Sequence, residues 1–277
     1  MAELNILERY GIKEVCDVTF YEIITDKDTG KIRPGKPVLY LDTLKVSTVE
    51  QTAENVAARG GKGNPELVVW DYGKEITLNL EDAVFSSKSL ALMYGTSPKE
   101  ADEEYGLLRK VLPKSQLTAD GDNYKFTMHG QEYKVAAADI KWFTVSNNVD
   151  GEPMEKEVDS IEKADYAVFA LKLKEHTQID INSDTFPGTY YVTGDTYARS
   201  EADGQDEFLQ LIIPKAKMLS EVTLTMEAEG DPSTFNMSMK VLRPTDKVMM
   251  KLIKYDVDGT GKATFYEKAE EDEEDGN

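Results

Sequence analysis

Residues 52–95 change character four times without slack, and this stretch constrains the fold more than any other. A glycine-rich loop of Arg59, Gly60, Gly61, Lys62, Gly63, Asn64 and Pro65 leads into the mostly apolar run Leu67, Val68, Val69, Trp70, Asp71 and Tyr72. Ile76, Leu78 and Leu80 then alternate with Thr77 and Asn79, a period of two that turns one side of a strand toward a core. Glu81, Asp82, Ala83, Val84 and Phe85 follow at once. The order reads as a loop, a strand pair and a helix capped by Asp82, with Gly95 at its C-terminal end. A loop charged at Arg59 and Lys62 and relieved by glycine of ordinary φ/ψ limits can reach across to a neighbouring subunit or approach a ligand closely. Assembly or recognition is therefore expected ahead of catalysis.

The chain has 277 residues, 40% of them apolar, enough for one large domain or two ordinary ones with a true core. Its formal net charge is -20, and the six consecutive acids from Glu270 to Asp275 carry only part of that excess. An acidic body repels phosphate, so the chain is a poor candidate for gripping nucleic acid. Acidity also serves solubility alone. Cys16 is the single cysteine, which excludes an intrachain disulfide and fits a small buried side chain. No stretch approaches the roughly 20 apolar residues of a membrane span. The first ten residues lack the apolar core of a secretory signal, so a soluble protein made in a reducing cytoplasm is expected.

Along the chain, β-branched and aromatic residues from Val18 to Ile24 run into a turn at Asp26, Asp28 and Gly30. Arg33, Pro34, Gly35 and Pro37 then delay a return strand over residues 38–46. Residues 47–58 suit a helix or a strand equally, since Ser47 and Glu50 resemble a capping box while Val49, Thr52 and Val56 favour strands. A second helix is predicted from Ser97 as N-cap, Pro98 at the first position and Glu100 closing a capping box, with Arg109 and Lys110 at its end and Pro113 beyond. Tyr124, Phe126, Met128, His129, Gly130, Tyr133 and Val135 predict a hairpin. Residues 96–163 thus form an expected helix-plus-hairpin insertion between core segments 1–95 and 164–266, with an acidic disordered tail at 267–277. In the later core, Val222, Leu224, Met226 and Ala228 alternate, turn at Gly230 and Pro232, and return through Phe235, Met237, Met239 and Val241.

Sites of chemistry are sparse. Asp256, Asp258, Thr260 and Glu267, with Gly261, fall on calcium-loop spacing, but the flanks read as strands where helices belong, so a hairpin turn is favoured. Only His129 and His176 offer imidazoles, both expected to be solvated, which excludes a multi-histidine zinc site within one chain. No catalytic constellation emerges and no cofactor is expected. Trp70, Tyr72, Trp142, Phe143, Tyr190 and Tyr191 offer an aromatic platform for a carbohydrate or partner, with core burial the more ordinary fate for most.

The blocks from Arg59 to Phe85, together with Pro214, Lys215, Ala216 and Lys217, residues 222–235, and Val241, Leu242, Arg243 and Pro244, resemble the tail tube (major tail) proteins of bacteriophages. The resemblance implies a mainly β subunit, a β-sandwich or half-barrel with one or two flanking helices, and favours extended structure over residues 47–58. It implies a virion structural protein made in the host bacterial cytoplasm and assembled as stacked hexameric rings around a DNA conduit. Its implied partners are further copies of itself and other tail proteins: sheath if the tail contracts, tape measure and baseplate. DNA would pass without specific binding, and no membrane is involved. Contacts between subunits are expected at Arg59 to Pro65 and at Arg33 and Pro34. A baseplate, hub or tube-terminating protein of the same fold, and a monomeric β-sandwich that binds carbohydrate or calcium, are the rival readings.

Overall fold

Strands dominate the computed structural model, which describes residues 9–100, 107–147, 153–173, 176–202, 204–224 and 234–255. In chain order these are β1 (Tyr10–Ile12), β2 (Asp17–Thr25), β3 (Ile32–Leu41), β4 (Leu44–Arg59) and β5 (Glu66–Asp82), then the helix α1 (Ser87–Met93). Next come β6 (Lys99–Glu100), β7 (Leu107–Pro113), β8 (Thr118–Asp120), β9 (Asn123–Met128), β10 (Gln131–Ala136), β11 (Lys141–Asn147), β12 (Pro153–Val158), β13 (Tyr166–Lys172) and β14 (Thr177–Gln178). The series ends with β15 (Thr189–Ser200), β16 (Asp206–Met218), β17 (Phe235–Val241) and β18 (Lys251–Tyr255). The chain divides into two units, one of Met1–Ser97 with Asp180–Asn277 and the other of Pro98–Ile179.

The first unit is a nine-stranded antiparallel sheet in the order β3-β2-β15-β16-β17-β5-β4, with β1 beside β15 and β18 beside β16. Alternation builds its core: Val18 and Phe20 of β2, Val192 of β15, Leu211 and Ile213 of β16, Met237 and Met239 of β17, and Ile76, Leu78 and Leu80 of β5 pack in one cluster. Phe20, Val192, Ile213 and Met239 are completely sealed from solvent. Leu41, which ends β3, and Leu44, which opens β4, join the same cluster, although these strands form the two opposite margins of the sheet. The sheet therefore curls until its margins meet at the corner of Asp42 and Thr43, as the mainly β half-barrel expectation requires.

Several local expectations are corrected. The single α-helix among the described residues is seven residues long and is capped by Ser86, whose hydroxyl accepts from the Ser89 N–H while the Ser89 hydroxyl accepts from the Ser86 N–H. Asp82 does not cap it. Buried at the end of β5, Asp82 accepts the Thr43 hydroxyl at 2.6 Å and the Val84 N–H at 3.3 Å, because its carboxylate satisfies the sheet corner. Gly95 does end the helical segment, at φ +73°. Pro34, Gly35 and Pro37 lie inside β3, where the pairing with β2 shifts register; an edge strand tolerates prolines that cannot donate. The expected return strand splits at the corner into β3 and β4, and residues 47–58 are extended within β4. Phe235–Val241 is a strand, but it pairs with β5 and β16; Val222 and Leu224 are not in a strand, and residues 225–233 lie outside the described residues.

The second unit contains a four-stranded sheet, β12-β11-β13-β7, a three-stranded sheet, β10-β9-β8, and the short pair β14-β6. Phe126, Val135, Trp142, Ala167 and Phe169 share its own core cluster. The hairpin turns at His129 and Gly130, both at positive φ. The predicted second helix is not formed: Lys99–Glu100 and Leu107–Pro113 are strands, and residues 101–106 lie outside the described residues. Its capping residues are local signals, and seven paired positions between β7 and β13 outweigh them, with Pro113 opposite Tyr166 at the strand end.

Candidate functional site

The most unusual surface is the far half of the β4–β5 hairpin. Residues 48–56 of β4 and the first ten residues of β5 are exposed on both sides of the ribbon. From the pair Gln51 and Ile76 to the tip, this arm extends by about nine residues per strand, roughly 30 Å. Its apolar content is high: Val56, Leu67, Val68, Val69, Trp70 and Tyr72 are each between 48% and 63% exposed. Monomeric proteins seldom leave such a patch to water, which marks it for a partner.

A one-residue bulge decides which side chains share a face. Between the pairs Thr52–Glu75 and Glu54–Tyr72, β5 advances three residues while β4 advances two. Gly73, at φ +63°, lies inside the extra step, a conformation that glycine adopts without steric cost. Without the bulge, Trp70 and Tyr72 would continue the face of Ile76, Leu78 and Leu80. With it they join the opposite face, where Val56 pairs with Trp70, Ala58 with Val68 and Glu54 with Tyr72. Ala57 and Val69 pair on the other face, beside Asn55 and Asp71.

The glycine-rich segment forms the tip. Gly60 N–H donates to Pro65 O at 3.2 Å and Asn64 N–H to Gly61 O at 3.1 Å, while Arg59 pairs with Glu66 across the strand ends. Gly61, Gly63 and Asn64 hold positive φ, and a Cβ at Gly61 or Gly63 would meet nothing within 4 Å. Arg33 and Pro34 belong to β3 at the other margin of the sheet, where Arg33 pairs with Asp26 at 3.4 Å. The structure thus places the two expected contact segments on opposite margins. The calcium candidates Asp256, Asp258, Thr260 and Glu267 lie outside the described residues.

The remaining candidates divide by burial. Trp142 is in the second core, Tyr190 packs on the first core edge-on to Phe20, and Trp70 and Tyr72 are on the arm. Phe143 stacks on Tyr166 at 5.5 Å over the outer side of the four-stranded sheet, where Val111, Lys141, Glu155 and Val168 help line a shallow groove of about 430 Å³. His129 is exposed as expected; His176 is half-buried just before β14, a correction to its expected place in a solvated strand. Its Nδ1 is buried without a hydrogen-bond partner among the described residues. Burial pushes the Cys16 thiol above its usual range, so it stays protonated and is a poor nucleophile. Among the described residues no group of three or more His, Cys, Asp and Glu side chains is arranged to hold a metal ion, and no helix is long and apolar enough to cross a membrane.

The model of the YomU/Tube protein family matches residues 10–116 and 117–254. The chain belongs to this family. Membership agrees with the resemblance to phage tail tube proteins and makes the chain a tube-type structural protein of the virion tail. No curated protein matches it.

Acid should weaken the fold of this tube protein. The carboxyls of Asp26 (held by the Thr29 N–H and hydroxyl), Asp120 (Lys134 and Lys125), Asp159 (Lys163), Asp165 (Thr144 hydroxyl and Val145 N–H) and Asp206 (Arg199) lie below the usual range. The unfolded chain therefore binds more protons near the ordinary aspartate value of about 3.9, so stability rises with pH through that window. The contribution is complete above it and is lost as pH falls through the depressed native values. Urea midpoints measured at low protein concentration should drop between about pH 5 and pH 3. A flat profile would show that these exposed contacts do not hold in solution.

Proposed function

We propose that the chain is the tail tube subunit itself, which joins copies of itself through sheet margins and arms into stacked, six-membered rings around a DNA conduit. The exposed apolar arm carries this reading. Its six large side chains expose on the order of 500 Å², somewhat over half of one partner's share, about 800 Å², of a standard interface. Burying that area is worth about 10 kcal/mol before association costs are met. The open margins supply the second element: β4 is sixteen residues long and free of proline, so its outward N–H and C=O groups form a template for another strand. The tip residues Arg59 to Pro65, and Arg33 and Pro34 at the opposite margin, are assigned to contacts between subunits. A lumen lined by this acidic chain would repel DNA phosphates, so DNA passes without being gripped and no catalysis is required. Sheath, tape measure and baseplate proteins are the expected neighbours in the tail.

The compact second unit, with a core of its own, favours one alternative, a hub or baseplate subunit of the same family; copy number per particle separates the two. Purified protein at micromolar concentration, examined by sedimentation and negative-stain microscopy, should form rings or tubes. Raising salt to about 0.5 M should promote them, because mutual repulsion of chains carrying a charge of -20 is screened. Compact monomers at every salt and protein concentration would overturn the proposal.

A further inference from the structure

We infer that the outer side of the four-stranded sheet β12-β11-β13-β7 is a binding site for a short neutral oligosaccharide. The site belongs wholly to the second unit, so it is independent of how copies of the chain assemble. Register fixes its composition. Leu112, Ala167 and Trp142 turn into the second core, and their neighbours in each strand turn outward: Val111, Val168 and Lys141 lie opposite one another in one row, Tyr166 and Phe143 in the next. The two rings are stacked with their planes 10° apart, and the Tyr166 hydroxyl is directed at the Glu155 carboxylate. Val111 is 62% exposed. Together these side chains line the groove of about 430 Å³, within the roughly 300–1,000 Å³ of small-molecule sites.

The chemistry of the groove selects its occupant. The rings and Val168 stand on β11 and β13, each paired on both sides, so no peptide strand can be added beneath them and recognition falls to side chains. Lys141 brings an ammonium and Glu155 a carboxylate to the same groove, so an ion of either sign would be drawn by one and repelled by the other. Nucleic acid is opposed further by Glu157, 3.7 Å from Lys141, in a chain of charge -20. A wholly apolar ligand would strip water from both charges without replacing its hydrogen bonds. A sugar hydroxyl donates to a carboxylate and accepts from an ammonium, while the C–H face of a pyranose ring packs on aromatic and aliphatic side chains.

Saturation-transfer difference NMR on the full chain, which serves for monomer and tube alike, tests this with cellotriose, maltotriose and triacetylchitotriose at about 10 mM, a concentration suited to weak, open sites. At least one of them should receive saturation through its ring C–H protons, and the signal should saturate on titration. Phe143→Ser, and separately the double variant Lys141→Ala with Glu155→Ala, should each weaken that binding by about tenfold or more. The double variant removes only exposed groups, so its urea midpoint should match the parent's even where Phe143→Ser destabilises the unit. No transfer to any of the sugars, or binding that both variants leave unchanged, would overturn the site. Transfer to an alternating valine–threonine hexapeptide but to none of the sugars would overturn it too, and would assign this face to a protein partner. None of these outcomes bears on the tube proposal, which sedimentation of the same samples decides.

Discussion

Removing the arm should abolish assembly completely while leaving a folded monomer. Gln51 and Ile76 face each other across the β4–β5 pair, so residues 52–75 can be replaced by an Asn-Gly turn without altering the flanking register. The first core takes nothing from the deleted segment: between Leu44 and Ile76 no residue belongs to its cluster. The one loss described at the base is the exposed ion pair of Lys240 with Glu75 at 2.7 Å, worth at most about 1 kcal/mol. Urea unfolding should therefore change by no more than about 2 kcal/mol. Sedimentation of the same sample should show monomer at concentrations where the full chain forms tubes. A shortened protein that still builds tubes would show that the sheet margins suffice. One that fails to fold would show that the arm stabilises the monomer, against the burial pattern.

The substitution expected to harm the fold most is Gly95→Ala. A Cβ at Gly95 would lie 2.2 Å from the Phe186 carbonyl carbon and 2.4 Å from its oxygen, and these are backbone atoms that cannot rotate away. The residue also holds φ +73°, which an L side chain adopts at a cost of about 1 kcal/mol. Together the clash and the strain should cost about 3–5 kcal/mol, seen as a fall in thermal midpoint well beyond ordinary surface changes. Gly61→Ala separates the two causes. Its φ is +81°, but nothing lies within 4 Å of the added carbon, so only the backbone preference of about 1 kcal/mol applies. Equal effects at the two positions would mean that the 182–188 segment yields to accommodate the methyl.

Short-range patterns were legible wherever local preference and tertiary need coincide. The alternation of Ile76, Leu78 and Leu80 is a buried strand face, the His129–Gly130 turn is present, and Gly95 ends the helix. Where two local patterns compete, the wrong one is easily chosen. Pro98, Glu100, Arg109 and Lys110 satisfy rules for helix ends, yet Leu107–Pro113 pairs along its whole length with β13, about sixty residues away. Asp82 has the chemistry of a cap, but Thr43, 39 residues earlier, claims its carboxylate. Loop 59–65 stood out by composition, whereas the arm behind it did not, because exposure is not written in an apolar sequence.

The amino-acid sequence by itself determined the alternating strand faces, the acidic character and the position of the glycine-rich tip. All three follow from residue type and period, which act over a few positions. Tertiary structure alone decided that Leu67 to Tyr72 stay in water and that a bulge at Gly73 divides them between two faces. A strand's burial depends on what is stacked against it. Here the margins of the sheet meet only at the corner of Leu41 and Leu44, and nothing in the described chain is left to cover the ribbon that continues beyond it.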